Sequence, residues 1–258
     1  MNADPPESSA TPPFLVFLTT WSFDPAAAIV LVAAAVLYLG GVRSLRRRGH
    51  YWPARLTAMY FLLGLGSYAF ISFGFLGAES HELRWAFTTR IALLLFVVPA
   101  LVSLGRPIAL ARAALGAAGQ GRTDRFLQSR PVRLFGNAIF ATVFACVAFL
   151  IFLTPIAAVL RDNPWSEWTI SVLVPLAGLL MVLPIAAHSV LHTSFFITVE
   201  FLLAFVAMIL DAIPGLLLRL NDAILDHAPA VVGAVPSWFP SALHDQHLSG
   251  DFLWFIAE

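Results

Sequence analysis

The chain contains no lysine, a single cysteine and few charges of either sign. All fifteen basic residues are arginine, and they are balanced by fifteen Asp and Glu. With no net charge there is no long-range field to recruit nucleic acid or an acidic partner. Cys146 stands alone in an apolar run, which excludes an intrachain disulfide and a CxxC redox pair. Only 12% of residues are charged, whereas a soluble domain is nearer a quarter. Templates for catalysis are missing as well: there is no HExxH, GxSxG, P-loop or paired-carboxylate motif. The polar N-terminus, with Asp4 and Glu7, has no basic region of the kind that opens a signal peptide.

What is present is apolar. Hydrophobic residues make up 59% of the 258, and mean hydropathy is +0.84. A bilayer core needs about 20 apolar residues in a helix. Six stretches qualify: Pro25 to Val42, Leu56 to Ala78, Trp85 to Gly105, Leu134 to Leu160, Trp168 to Ala187 and Phe195 to Leu218. A seventh begins near Leu248, in LSGDFLWFIAE. The runs are continuous rather than alternating, which argues against a β-barrel. The expected fold is therefore an all-α polytopic membrane protein, with six complete transmembrane helices and a seventh starting near the C-terminus. The expected organisation is an outer segment 1–24, a six-helix domain 25–218, an extracytoplasmic loop 219–248 and the start of the last helix at 249–258. Prolines inside the third to sixth spans, Pro99, Pro155, Pro175, Pro184 and Pro214, each remove a backbone donor and should bend their helices.

Arginine sets the expected orientation. The loop after the first span holds Arg43, Arg46, Arg47, Arg48 and Arg55. The loop after the third holds Arg106, Arg112, Arg122, Arg125, Arg130 and Arg133. The positive-inside rule puts both loops in the cytoplasm and the N-terminus outside. All seven Trp fall near span ends or in loops, as an aromatic belt requires. GAAGQGR, starting at Gly116 in the second of these loops, reads as a flexible linker.

Charges inside a membrane are costly and are usually paired or functional. Arg90 lies about five residues into the third span, roughly 8 Å deep at about 1.5 Å per residue. Asp211 lies at a similar depth from the outer end of the sixth, so an Arg90–Asp211 ion pair is expected. Glu200 sits near the other end of that span. Among the seven histidines, His188 and His192 are spaced i, i+4 at the cytoplasmic edge, where hydrogen bonding is the commoner role. On the outer side, His244 and His247 are three apart in HDQH and could share one metal if that stretch is helical, with His81 or Asp245 completing the site. Imidazole suits copper and zinc.

The order of several motifs resembles a known family. WSFDP (Trp21 to Pro25) leads into an apolar helix that ends in YLGGVRSLRRRGHYWPAR. VVPALVSLGRPIAL (Val97 to Leu110), FLTPI (Phe152 to Ile156), GLLMVLP (Gly178 to Pro184) and DQHLSGDFLW (Asp245 to Trp254) follow. Together they resemble the CtaG family of cytochrome c oxidase assembly factors. The resemblance implies a seven-helix bundle in the plasma membrane and a role in delivering or inserting copper into the oxidase at the outer face, with oxidase subunits and membrane lipid as partners. The family's H-M-x-x-H motif at the start of the third helix, aligned on Pro99 and Gly105, falls here on Phe87 and Ile91. No His occurs between Trp165 and Pro184, where the family tends to carry one in the fifth helix. Neither Phe nor Ile ligates a metal, so the family's usual ligands do not carry over. The expected function is a non-enzymatic assembly factor or accessory scaffold for a respiratory oxidase, with copper as a candidate cargo. The alternative is a small-solute or ion transporter using Arg90, Glu200 and Asp211. It lacks the internal repeat common among such proteins.

Overall fold

The computed structural model describes residues 14–187, 209, 212–225, 235 and 239–257. Among the described residues every regular element is helical. A short helix, α1 (Phe14–Thr19), precedes the first long one, α2 (Pro25–Arg47). Asp24 and Pro25 explain where α2 starts. The Asp24 carboxylate accepts from Ala26 N and Ala27 N at 2.8 and 3.1 Å, and Pro25 needs no donor at the first helical position.

The next two spans are α3 (Ala54–Ala78) and α4 (Arg84–Leu104). Each contains a stretch of π-helix, Met59–Leu65 in α3 and Leu93–Val97 in α4. In α4 the wide turn runs directly into Val98–Pro99, where the missing proline N–H breaks the regular ladder. A further helix, α5 (Pro107–Leu127), is followed by α6 (Arg130–Phe135), α7 (Ala138–Leu150), α8 (Ile156–Asp162) and α9 (Pro164–Ala187). Residues 212–220 form α10, and α11 spans Ala242–Ala257.

Among the described residues four helices are long and apolar enough to cross a bilayer: α2, α3, α4 and α9. A fifth crossing is reached if the bent pair at 139–162 counts as one. The six-plus-one expectation is therefore met only in part. Most of the expected sixth span lies outside the described residues. The expected fourth span is not continuous: Ile139–Leu153 and Ile156–Asp162 meet at 82°. Pro155 supplies the reason, since its ring cannot continue the preceding helix. Thr154 turns extended there, with its hydroxyl bonded to Ile151 O at 2.7 Å. The helix at the C-terminal end of the described residues starts at Ala242, six residues before the expected Leu248, because HDQH is helical, with Asp245 and Gln246 buried, rather than part of a loop. GAAGQGR is also helical, with one non-helical point at Gly116 (φ 65°, ψ −165°), a conformation that glycine tolerates.

Helices approach closely where side chains are absent. A Cβ on Gly178 would lie 2.0 Å from Leu95 O and 2.6 Å from a Pro99 ring carbon, so α9 and α4 are in backbone contact there. Gly215 and Gly250 do the same for α10 and α11, each facing the other's carbonyl oxygen. At the far end of α4, Gly105 leaves room for Tyr60, and Tyr38 donates to Gly105 O at 2.8 Å.

Candidate functional site: the polar end of the bundle

Two networks of buried polar side chains occupy the end of the bundle opposite the arginine-rich loops. Arg90 is the centre of the first and is 2% exposed. Its Nη2 donates to Asp24 Oδ2 at 3.4 Å and to Ser171 Oγ at 2.9 Å. Its Nη1 donates to Ser80 Oγ at 3.1 Å and to Glu167 Oε1 at 3.2 Å. Ser171 in turn donates to Asp24 Oδ2. One guanidinium thus ties the start of α2, the α3–α4 turn, α4 and α9 together. A buried cation needs this density of partners, since an uncompensated charge there is strongly unfavourable. The Arg90 partners seen are Asp24 and Glu167. Asp211, Glu200, His188 and His192 lie outside the described residues.

His81 extends this network towards solvent. Its Nε2 faces Glu167 Oε2 at 3.1 Å and its Nδ1 faces Arg161 O at 2.5 Å. Both ring nitrogens meet acceptors, an arrangement that only the imidazolium satisfies fully. The hydrogen bond to Glu167 accordingly raises the His81 pKa above its ordinary value, with further help from the Arg161 carbonyl and against partial burial.

The second network joins α4 to α11. Asp245 accepts from Arg84 N at 2.7 Å and from Trp85 N at 2.9 Å, so it caps α4 from a position 160 residues away in sequence. Leu83, at the local N-cap position, has no side chain able to do this. Arg84 Nη1 donates to Gln246 Oε1 at 2.9 Å, and its Nη2 donates to Phe152 O, at the break between α7 and α8. Gln246 Nε2 donates to Asn221 O and Ala223 O at 3.2 and 3.0 Å, and Leu225 N donates to its Oε1. Thr88 and Ser249 share a hydroxyl hydrogen bond of 2.8 Å. Arg219 and Asp251 close the outer edge at 3.0 Å.

The four expected metal ligands are not brought together. His81 is bound to Glu167 and Arg161, both Asp245 oxygens hold backbone N–H groups, and His247 Nε2 lies 3.3 Å from Asn221 O. His244 packs its ring against Phe239, 5.7 Å between centroids. Among the described residues no three His, Cys, Asp or Glu side chains are placed to hold a metal. At the positions aligned with the family's histidines, Phe87 and Ile91 are buried, and Phe87 packs edge-on to Phe152 at 5.9 Å. Among the described residues, neither place gathers a donor set for a metal.

Sequence reasoning missed Asp24 and Glu167 as the partners of Arg90. Asp24 carries a local signal, an acid followed by Pro at the start of an apolar run, but that signal speaks only of helix capping. Its second role depends on a contact 66 residues away. The family-like motifs are explained in the same way. WSFDP supplies the Asp24 cap, FLTPI the break that offers Phe152 O, GLLMVLP the Gly178 contact, and DQHLSGD the capping and close-contact residues of α11.

Among the described residues the fold and its polar end define a helical membrane protein whose sequence motifs knit helices together. The sequence model of the cytochrome c oxidase caa3 assembly factors (Caa3_CtaG) matches residues 36–258, and the chain belongs to that family. Similar proteins include uncharacterised proteins of Mycobacterium bovis and Mycobacterium tuberculosis, each 26% identical over 250 residues, covering 93% of this chain and 37% of theirs. An uncharacterised protein of Mycobacterium leprae is 25% identical over 265 residues, covering 96% of this chain and 38% of its own. The chain thus spans less than two-fifths of the length of these relatives. No solved structure matches it.

Proposed function

We propose that the chain acts as a non-enzymatic membrane scaffold in the assembly of a respiratory cytochrome c oxidase, without itself carrying the oxidase's copper. Family membership supplies the oxidase. The observation that carries the scaffold reading is the fate of Asp245: a conspicuous acid between two histidines spends both oxygens on the backbone of α4. His81, the other candidate ligand with polar neighbours, is likewise committed at both nitrogens. Such a site holds helices in place and has few lone pairs left for a soft cation. On this reading the protein docks with oxidase subunits in the plasma membrane.

Deleting the gene in its host and following the haem a difference spectrum tests the reading. Assembled oxidase should fall and be restored equally by the wild type and by His244→Ala/His247→Ala. Purified protein loaded anaerobically with Cu(I) should retain no stoichiometric copper. About one copper per chain, lost in the double variant together with complementation, would instead establish copper delivery.

A further inference from the structure

The two arginine-rich loops, far apart in sequence, meet at one end of the bundle. Leu110 of α5 packs on Gly41 of α2, with a Cβ at Gly41 placed 3.2 Å from Leu110 Cγ. Ser44 donates to Ala114 O at 3.3 Å, and the Arg48 guanidinium lies over Gly116, where α5 changes direction. Beyond Gly116 the helix folds back on itself. Arg112 and Asp124 are bonded at 2.5 Å, yet twelve residues of straight helix would separate them by roughly 18 Å, further than the two side chains reach.

Folding back creates a groove. A cavity of about 440 Å³ lies between the two halves of α5 and the membrane helices, lined by Tyr60, Val102, Ile108, Phe126, Leu127 and Leu179 among others. That volume falls within the roughly 300–1,000 Å³ of small-molecule sites. Its walls are mostly apolar, and two of the lining residues have an arginine next to them in the chain. Arg106, just before the lining Pro107, and Arg125, beside Phe126, are both exposed. Eleven arginines stand in the two loops against one acid, Asp124, which is already paired with Arg112. Positive-inside bias accounts for an excess of arginine but not for an apolar slot at the end of the bundle where the two arginine-rich loops meet.

From this pairing of charge and apolar volume we infer that the α5 hairpin holds one anionic glycerophospholipid of the surrounding bilayer, an acyl chain in the groove and its phosphate at Arg106 and Arg125. Apolar burial supplies retention, and the arginines supply selectivity for an anionic headgroup.

The test uses the full chain reconstituted in vesicles of phosphatidylcholine, alone or mixed with phosphatidylglycerol, then extracted in mild detergent and its bound lipid counted by native mass spectrometry. The wild type should retain phosphatidylglycerol about thirtyfold over phosphatidylcholine, a factor in keeping with two arginines at a membrane surface. Arg106→Gln/Arg125→Gln should bring that preference close to one. Ala111→Trp, which fills the groove, should lose both lipids. Phe126→Ala, which only trims an exposed wall, should weaken retention in the same direction and covers the case in which the tryptophan variant fails to fold. Equal retention of the two lipids by the wild type, or undiminished retention in Ala111→Trp and Phe126→Ala, overturns the inference. Displacement of the lipid by inorganic phosphate overturns it too, by showing an anion site that does not need the groove.

Discussion

Removing the Arg90 guanidinium would leave the Asp24 carboxylate buried without its cation and Glu167 with His81 alone. Breaking a buried pair by deleting one partner typically costs about 3–5 kcal/mol, far more than the pair itself contributes. Arg90→Leu should therefore lower the thermal midpoint of the purified protein sharply, and Asp24→Asn/Arg90→Leu should be less damaging than the sum of its parts. Strict additivity in that double-mutant cycle would count against the pair. His81 behaves differently because it reaches solvent. Its folded-state pKa is raised, first by the hydrogen bond to Glu167, so its contribution is full below the unfolded value of 6.5 and is lost as pH rises through the folded value. Thermal stability should decline over that window in the wild type and be flat there in His81→Gln.

At the scale of the helix, α4 depends on α11 for its first turn. Asp245→Ala should expose the Arg84 and Trp85 amides and cost about 1–2 kcal/mol, the usual loss for a missing cap. Hydrogen exchange at those two amides measures it, and unchanged protection would mean that the cap is redundant. How far the elements were legible in the sequence differs along the chain. Spans α2, α3, α4 and α9 follow from long apolar runs; α2 runs on to Arg47 and α9 starts at Pro164, beyond the expected Val42 and Trp168, because basic last turns and first-turn acids such as Glu167 belong to the helices, while α3 and α4 keep their expected ends to within two residues. Pro155 announced a bend, but an angle of 82° depends on Thr154 turning extended and Phe152 O being drawn to Arg84. HDQH suggested a metal site because histidine spacing is visible in a sequence, whereas the tertiary capping that occupies Asp245 is not. The Arg90 partners were sought in a helix at matching depth, whereas an N-cap and a first-turn acid supplied them.

For the whole molecule, the polar networks and the arginine-rich hairpin lie at opposite ends of α4, so one end faces each side of the membrane. A Cys146→Ala background carrying single cysteines at the exposed positions His50, Gly121 and His244 reports the orientation. In right-side-out vesicles an impermeant maleimide should label His244→Cys and spare His50→Cys and Gly121→Cys. The reverse pattern would invert the topology that arginine distribution implies. The Asp245 cap also gives the molecule a clock. Synthesis at roughly 5–20 residues per second separates α4 from the residue that completes it by on the order of ten seconds. Until then the newly inserted α4 has the first-turn amides of Arg84 and Trp85 without their native acceptors, a natural handle for an insertase or a membrane protease. Chains interrupted before α11 carry that mark indefinitely, so a helix made about 160 residues later doubles as the quality-control seal on α4.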